Sequence, residues 1–116
     1  MKGSRMSLLI PTALLMAVAR PAVAQQPDGE AVFRENCKQC HGINGVPPKR
    51  EKDKYAKLRT LGDSGFVSRL STDSIVKIVT KGIDQNMKSF SEKLTPPEIT
   101  AVAAYIKELA EKKKAS

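Results

Sequence analysis

Apolar residues recur along the chain in three places with the spacing of a helix face, and nowhere with the alternation of a half-buried strand. In the first, Gly29, Val32, Phe33, Asn36, Cys37 and Cys40 fall at i, i+3, i+4, i+7, i+8 and i+11. Pro27-Asp28 precedes them, Asp28 is a suitable cap, and Glu30 lies in the first turn. This spacing predicts a helix over 28–40. In the second, Ile75, Val76, Ile78 and Val79 share a face behind Ser71 or Thr72 as cap. Lys81-Gly82 makes a fitting last turn and stop, so a helix is expected over 72–81. The third opens on Thr95-Pro96-Pro97-Glu98, which supplies a capping residue, a proline at the first helical position and a glutamate three after the cap. Ile99, Val102, Ala103, Ile106, Leu109 and Ala110 continue it as an amphipathic helix to about 111.

The segments between these helices read as loops. Residues 42–65 turn to Gly, Pro and charge, including Pro47-Pro48 and the run Lys49-Arg50-Glu51-Lys52-Asp53-Lys54. A short helix is expected over 55–61, ended by Gly62, and residues 83–94 are again polar and irregular. The fold class is all-α, with three main helices joined by long loops. Loops of that length in so short a chain usually wrap something functional.

The amino terminus has a different character. Lys2 and Arg5 precede an apolar stretch from Met6 to Ala19, and Ala22-Val23-Ala24 offers small residues where a signal peptidase reads. A secretory signal peptide is expected over 1–24, cleaved after Ala24. The stretch is broken by Pro11 and followed by Arg20, and it falls short of the roughly 20 residues that span hydrocarbon. No Cys lies near the cleavage position for lipid attachment. Residues 25–116 are therefore expected to form one exported, soluble, periplasmic domain with no membrane anchor.

Removing 24 of the 116 residues leaves 92, and only 4% of the chain is aromatic, with no Trp. At that size apolar burial alone leaves little stability, and a bound group in the core would add what side chains do not. Two Cys and one His exclude multi-disulfide scaffolds, four-ligand Cys/His zinc sites and a chain holding several haems.

Those three residues stand together. Cys37-Lys38-Gln39-Cys40-His41 is C-x-x-C-H, the attachment sequence for a c-type haem. Thiols at i and i+3 on a helical turn lie on one side, about 5–6 Å apart between Cβ atoms, and both reach the vinyl groups of one porphyrin. His41 follows directly and is carried beneath the ring as an iron ligand. The rival readings of the pair are a disulfide and a thioredoxin-like redox site, and the latter needs a strand-helix-strand surround that this pattern lacks. For the remaining position on iron there is no second His. Met1, Met6 and Met16 leave with the leader, so Met87 is the one thioether of the mature chain, in the polar loop Gln85-Asn86-Met87-Lys88-Ser89-Phe90. A lone Met is more often core filler, but no apolar periodicity surrounds this one. Met87 is the expected sixth ligand, with an open iron or ligation by Lys as the alternatives.

On these residues the chain resembles the small class I monohaem cytochromes c of the bacterial periplasm, over essentially all of 28–111. The likeness lies in the haem motif near the start of the domain, the loop Met87-Lys88-Ser89-Phe90, and the terminal helix with Val102-Ala103-Ala104-Tyr105-Ile106. It implies a cytochrome c-like fold in which three main helices and long loops wrap one covalently attached haem c. It also implies that Gly29 and Phe33 of the first helix meet Tyr105 of the last, and that Pro47 or Pro48 offers a carbonyl to the second ring nitrogen of His41. The charged stretch 49–61 departs from the shortest family members, and Arg50, Tyr55 and Arg59 are candidates there for the haem propionates. A four-helix-bundle cytochrome is disfavoured, because its haem motif lies near the end of the chain.

Net charge is +8; Lys2, Arg5 and Arg20 leave with the leader, so 17 of 20 basic residues stay with all 12 acids. That balance of +5 becomes about +3 once two propionates are counted. A moderately basic face around a haem edge would speed encounter with an acidic redox partner, while Lys112-Lys113-Lys114 has the character of a solvated tail. Export and the lack of interleaved aromatics argue against nucleic acid. The expected function is a monomeric one-electron carrier between respiratory or dehydrogenase partners, with saturated iron and no catalytic acid, base or nucleophile. Two rivals share its site. One is a gas-binding sensor or sluggish peroxidase with a displaceable Met87, and the other is the cytochrome subunit of a periplasmic dehydrogenase.

Overall fold

The computed structural model describes Gly3 and residues 18–21, 24–62 and 64–114. Most of the expected leader lies outside the described residues. Among those described, the elements are helices, α1 (Gly29–Asn36), α2 (Lys38–His41), α3 (Lys49–Lys54), α4 (Ser64–Val67), α5 (Thr72–Lys81) and α6 (Pro96–Lys114). The only extended pairing among them is an isolated antiparallel bridge between Ile83 and Met87.

Asp28 caps α1 as its position suggests: its carboxylate accepts from the backbone N–H of Glu30 at 3.0 Å and of Ala31 at 3.4 Å. The single helix expected over 28–40 is bent into two. The Asn36 side chain donates to the Val32 carbonyl at 2.9 Å, a back-bond that competes with the helical ladder and bends it. Cys37 then takes φ −119°, and α2 is one further turn, which carries Cys40 and His41.

The short helix expected over 55–61 lies instead over 49–54. Pro48 is extended, and its carbonyl accepts from both Glu51 and Lys52 N–H groups, so the proline pair starts a helix rather than prolonging a loop. The charged run consists largely of good helix formers, and Lys49 pairs with Asp53 one turn on at 2.7 Å. Tyr55 ends this helix. Beyond it the chain turns back, and the N–H groups of Leu61 and Gly62 both donate to the Gly45 carbonyl, closing the segment into a loop.

Both later helices begin where the sequence places them. The Ser71 hydroxyl accepts from the Ser74 N–H at 3.0 Å. Thr95 and Glu98 form a reciprocal capping box: the Glu98 carboxylate accepts from the Thr95 N–H at 2.7 Å, and the Thr95 hydroxyl accepts from the Glu98 N–H at 3.4 Å. α6 runs to Lys114, past the expected end at 111, with Glu108 and Lys112 paired at 2.6 Å across its last turns.

α6 is the spine of the fold and packs against α1, α5 and α4. Its apolar stripe, Ile99, Val102, Ala103, Ile106, Leu109 and Ala110, is buried together with Val32 and Phe33 of α1 and Ile75 and Val79 of α5. Lys107 uses its polar tip differently. Its ammonium donates to the carbonyls of Val67 at 3.3 Å and Leu70 at 2.9 Å, so α6 is tied to the end of α4 and the turn after it.

The α1/α6 crossing forms as the family resemblance implies. A Cβ on Gly29 would run into the Ala101 carbonyl and lie 3.1 Å from Tyr105 Cβ. Beside it the rings of Phe33 and Tyr105 stand 5.4 Å apart at 56°, a tilted contact suited to their quadrupoles. Gly29→Leu is expected to destabilise the holoprotein by roughly 1–3 kcal/mol through overpacking at this contact, measured as a lowered denaturation midpoint.

Candidate functional site

α1 and α2 bring the motif to one wall of an apolar cavity of about 340 Å³, lined by Cys37, Cys40 and His41. α4 and α5 supply apolar walls through Phe66, Val67, Ile75 and Val79, and α6 contributes Ile106. The loop after α5 brings Met87 to the same cavity. All four residues expected at the iron therefore share one space, although 46 positions separate His41 from Met87 along the chain.

The loop that presents Met87 is shaped by its own hydrogen bonds. α5 stops at Gly82 with φ +74°, and a Cβ there would strike the Met87 carbonyl and crowd Lys88 and Ser89. Ile83 and Met87 exchange backbone hydrogen bonds at 2.8 and 3.3 Å around a turn in which Asp84 is left-handed, at φ +49°. The Asp84 carboxylate accepts from the Asn86 N–H at 2.8 Å, a local bond that suits Asp to this conformation. The Ser89 hydroxyl donates to the Thr80 carbonyl, and the Phe90 N–H donates to the Val79 carbonyl at 3.0 Å, tying the far side of the loop to α5.

Cys37 and Cys40 are free thiols, both half-buried. Burial pushes the Cys37 thiol up to about 11, helped by Cys40 and opposed by Lys93. Burial lowers the pKa of His41, against a smaller opposing effect of the Arg59 backbone. A neutral imidazole is the form that ligates metal.

His41 Nδ1 is buried without a hydrogen-bond partner. The bond expected from His41 to Pro47 or Pro48 is thus absent from this structure. The Pro48 carbonyl is already taken by the first N–H groups of α3, and Pro48 is exposed whereas Pro47 is buried.

Of the propionate candidates, Tyr55 and Arg59 line the cavity and Arg50 does not. The Arg50 guanidinium turns instead to buried Glu51, at 3.0 Å. Lys57, Asn86 and Lys88 also line the cavity. Sequence reasoning missed Lys57 as a wall residue; its place inside the charged stretch was the available signal. Phe66 and Leu70 carried no signal, because the segment holding them has no readable period.

Two cysteine sulfurs, an imidazole and a thioether on the walls of one apolar space are a donor set that fits a covalently bound haem. The comparisons point to a haem protein of the same kind. The profile of the family described as cytochrome c oxidase, cbb3-type, subunit III matches residues 24–106. The cytochrome c6-like protein of Nostoc sp. (strain PCC 7120) is 37% identical over 100 residues, covering 85% of this chain and 85% of that protein.

The chain belongs to the cytochrome c family.

Cytochrome c6 of Gloeothece citriformis is 36% identical over 87 residues, 73% of this chain and 72% of that relative. Among solved structures, the KustC0563 c-type cytochrome superposes with a TM-score of 0.64 at 28% identity, covering 72% of this chain and 98% of that one. As a class I cytochrome c this protein carries a covalently bound haem c and transfers electrons. No described helix is long and apolar enough to cross a membrane.

Bound in this cavity, haem c supplies reversible one-electron chemistry at its iron. The chain's own part is to attach and orient the group, and to keep water off it with the Phe66, Val67, Ile75 and Val79 walls. Covalent attachment through two thiols has a direct readout. The holoprotein should keep its haem through acidified-acetone extraction, and Cys40→Ser should keep it through the remaining thioether. Cys37→Ser with Cys40→Ser should release it completely, as followed by mass spectrometry of the chain.

Proposed function

We propose that the protein is an exported, soluble, periplasmic one-electron carrier in which His41 and Met87 are the axial ligands and Cys37 and Cys40 the points of attachment. It acts as a monomer between redox proteins with acidic docking surfaces, and it is not an enzyme. The observation that carries this reading is the meeting of Met87, the one thioether outside the leader, with the C-x-x-C-H motif across a single apolar cavity. Cys37 and Cys40 are consumed as thioethers and His41 belongs to the motif. The remaining strong donors are lysines, protonated near neutral pH.

With both axial positions filled by side chains there is no place for substrate. A soft sulfur ligand favours the ferrous state.

Met87→Ala is expected to lower the reduction potential, open the iron to carbon monoxide and abolish the weak sulfur-to-iron charge-transfer band of the oxidised protein. Rapid carbon monoxide binding by the wild type, with that band missing, would displace the carrier reading in favour of a gas-binding one. For the leader, the intact mass of protein recovered from the periplasm should correspond to residues 25–116 plus one haem. A mass retaining residues 1–24 would contradict cleavage after Ala24.

A further inference from the structure

The charge excess of this chain is concentrated. Residues 49–59 hold six bases, Lys49, Arg50, Lys52, Lys54, Lys57 and Arg59, against two acids, Glu51 and Asp53. That surplus of four compares with five for residues 25–116 as a whole.

The structure shows which bases carry the surplus. Glu51 is 5% exposed and bound by Arg50, and Asp53 is bound by Lys49. Both acids are therefore neutralised locally, and among the described residues no carboxylate pairs with Lys52, Lys54 or Lys57, all three exposed. Arg59 is left out of this count. Its guanidinium lies over the Phe66 ring at 5.2 Å, and it remains a candidate for a propionate.

The segment also reaches the electron-transfer site. Tyr55 and Lys57 line the cavity, and the Lys54 ammonium stands 4.9 Å from the centre of the Tyr55 ring. Three acids lie apart from it: Asp28, Glu30 and Glu108, the last two paired with Arg34 and Lys112, line a separate cleft at the α1/α6 crossing, which shares no residue with the cavity.

From this distribution we infer that Lys52, Lys54 and Lys57, presented by α3 and the turn after it, form the docking face for an acidic redox protein. The inference rests on the carrier reading above and deepens it. A partner held on this face is brought to the Tyr55 side of the cavity. Its acidic surface meets a compact positive field that steers encounter, and long-range steering of this kind weakens as salt rises.

The test uses the holoprotein, with a reduced flavodoxin as the acidic protein probe and stopped-flow absorbance as the readout. Lys52→Glu with Lys54→Glu is compared with Lys77→Glu and Lys112→Glu, a pair that carries the same change in net charge outside the face. The first pair should slow reduction at low salt by about tenfold or more and flatten its dependence on ionic strength. The second should alter both far less. Unchanged midpoint potentials and visible spectra in both pairs assign the loss to encounter rather than to the haem site.

Equal slowing by the two pairs would reduce the effect to net charge and overturn the inference, as would no slowing by either. If the first pair loses binding to phosphatidylglycerol vesicles while flavodoxin still reduces it at the wild-type rate, the face belongs to a membrane surface and the inference fails. Failure of the carrier reading looks different: the wild-type holoprotein would then resist reduction by flavodoxin at every ionic strength.

Discussion

The contact between α1 and α6 sets the positions on which the cavity depends. Only a residue without a Cβ lets the Gly29 backbone approach the Ala101 carbonyl, and the tilted pair of Phe33 and Tyr105 then fills the space beside the crossing. α1 leads directly into Cys37, Cys40 and His41. α6 in turn carries Ile106 into the cavity wall and, through Lys107, holds the end of α4 beside Phe66 and Val67. An error at the crossing would therefore be passed to two walls of the site at once.

The other half of the site is built by a different means. Met87 belongs to no helix, and no residue of 82–90 is itself fully buried, although Met87 and Phe90 pack against the core. Its position comes from backbone exchange with Ile83, the Asx-type turn at Asp84 and the ties from Ser89 and Phe90 back to α5. Packing thus positions the motif, and hydrogen bonds reinforced by the packing of Met87 and Phe90 position the loop facing it. That division suits a small domain with few aromatic residues, whose apolar interior is completed by the haem.

The sequence made much of this legible because its strongest signals are local. Asp28, Ser71 and the Thr95–Glu98 box cap helices through contacts within three residues, and the stripe of α6 repeats over several turns. C-x-x-C-H marks haem attachment by its spacing, and elimination leaves Met87 as the candidate for the remaining iron position. The bend at Cys37 was hidden because it depends on the Asn36 side chain turning back onto Val32 rather than on any break in period. The helix at 49–54 was misplaced because a charged run without apolar spacing reads as loop, although Pro48 and the Lys49–Asp53 pair suffice to start one turn. Phe66, Val67 and Leu70 reach the cavity through tertiary placement that no local pattern encodes.

The turn between Ile83 and Met87 also bears on the speed of electron transfer. A carrier that changes charge must pay for whatever atoms shift when the electron arrives, and groups already held in place have little to shift. The hydrogen bonds that fix Met87 lie within the protein backbone and the Asp84 side chain, so they are the same whichever charge the site bears. With Met87 on the iron, as proposed, a loop held in this way would have little to rearrange as the electron passes, and its share of the reorganisation energy would be small.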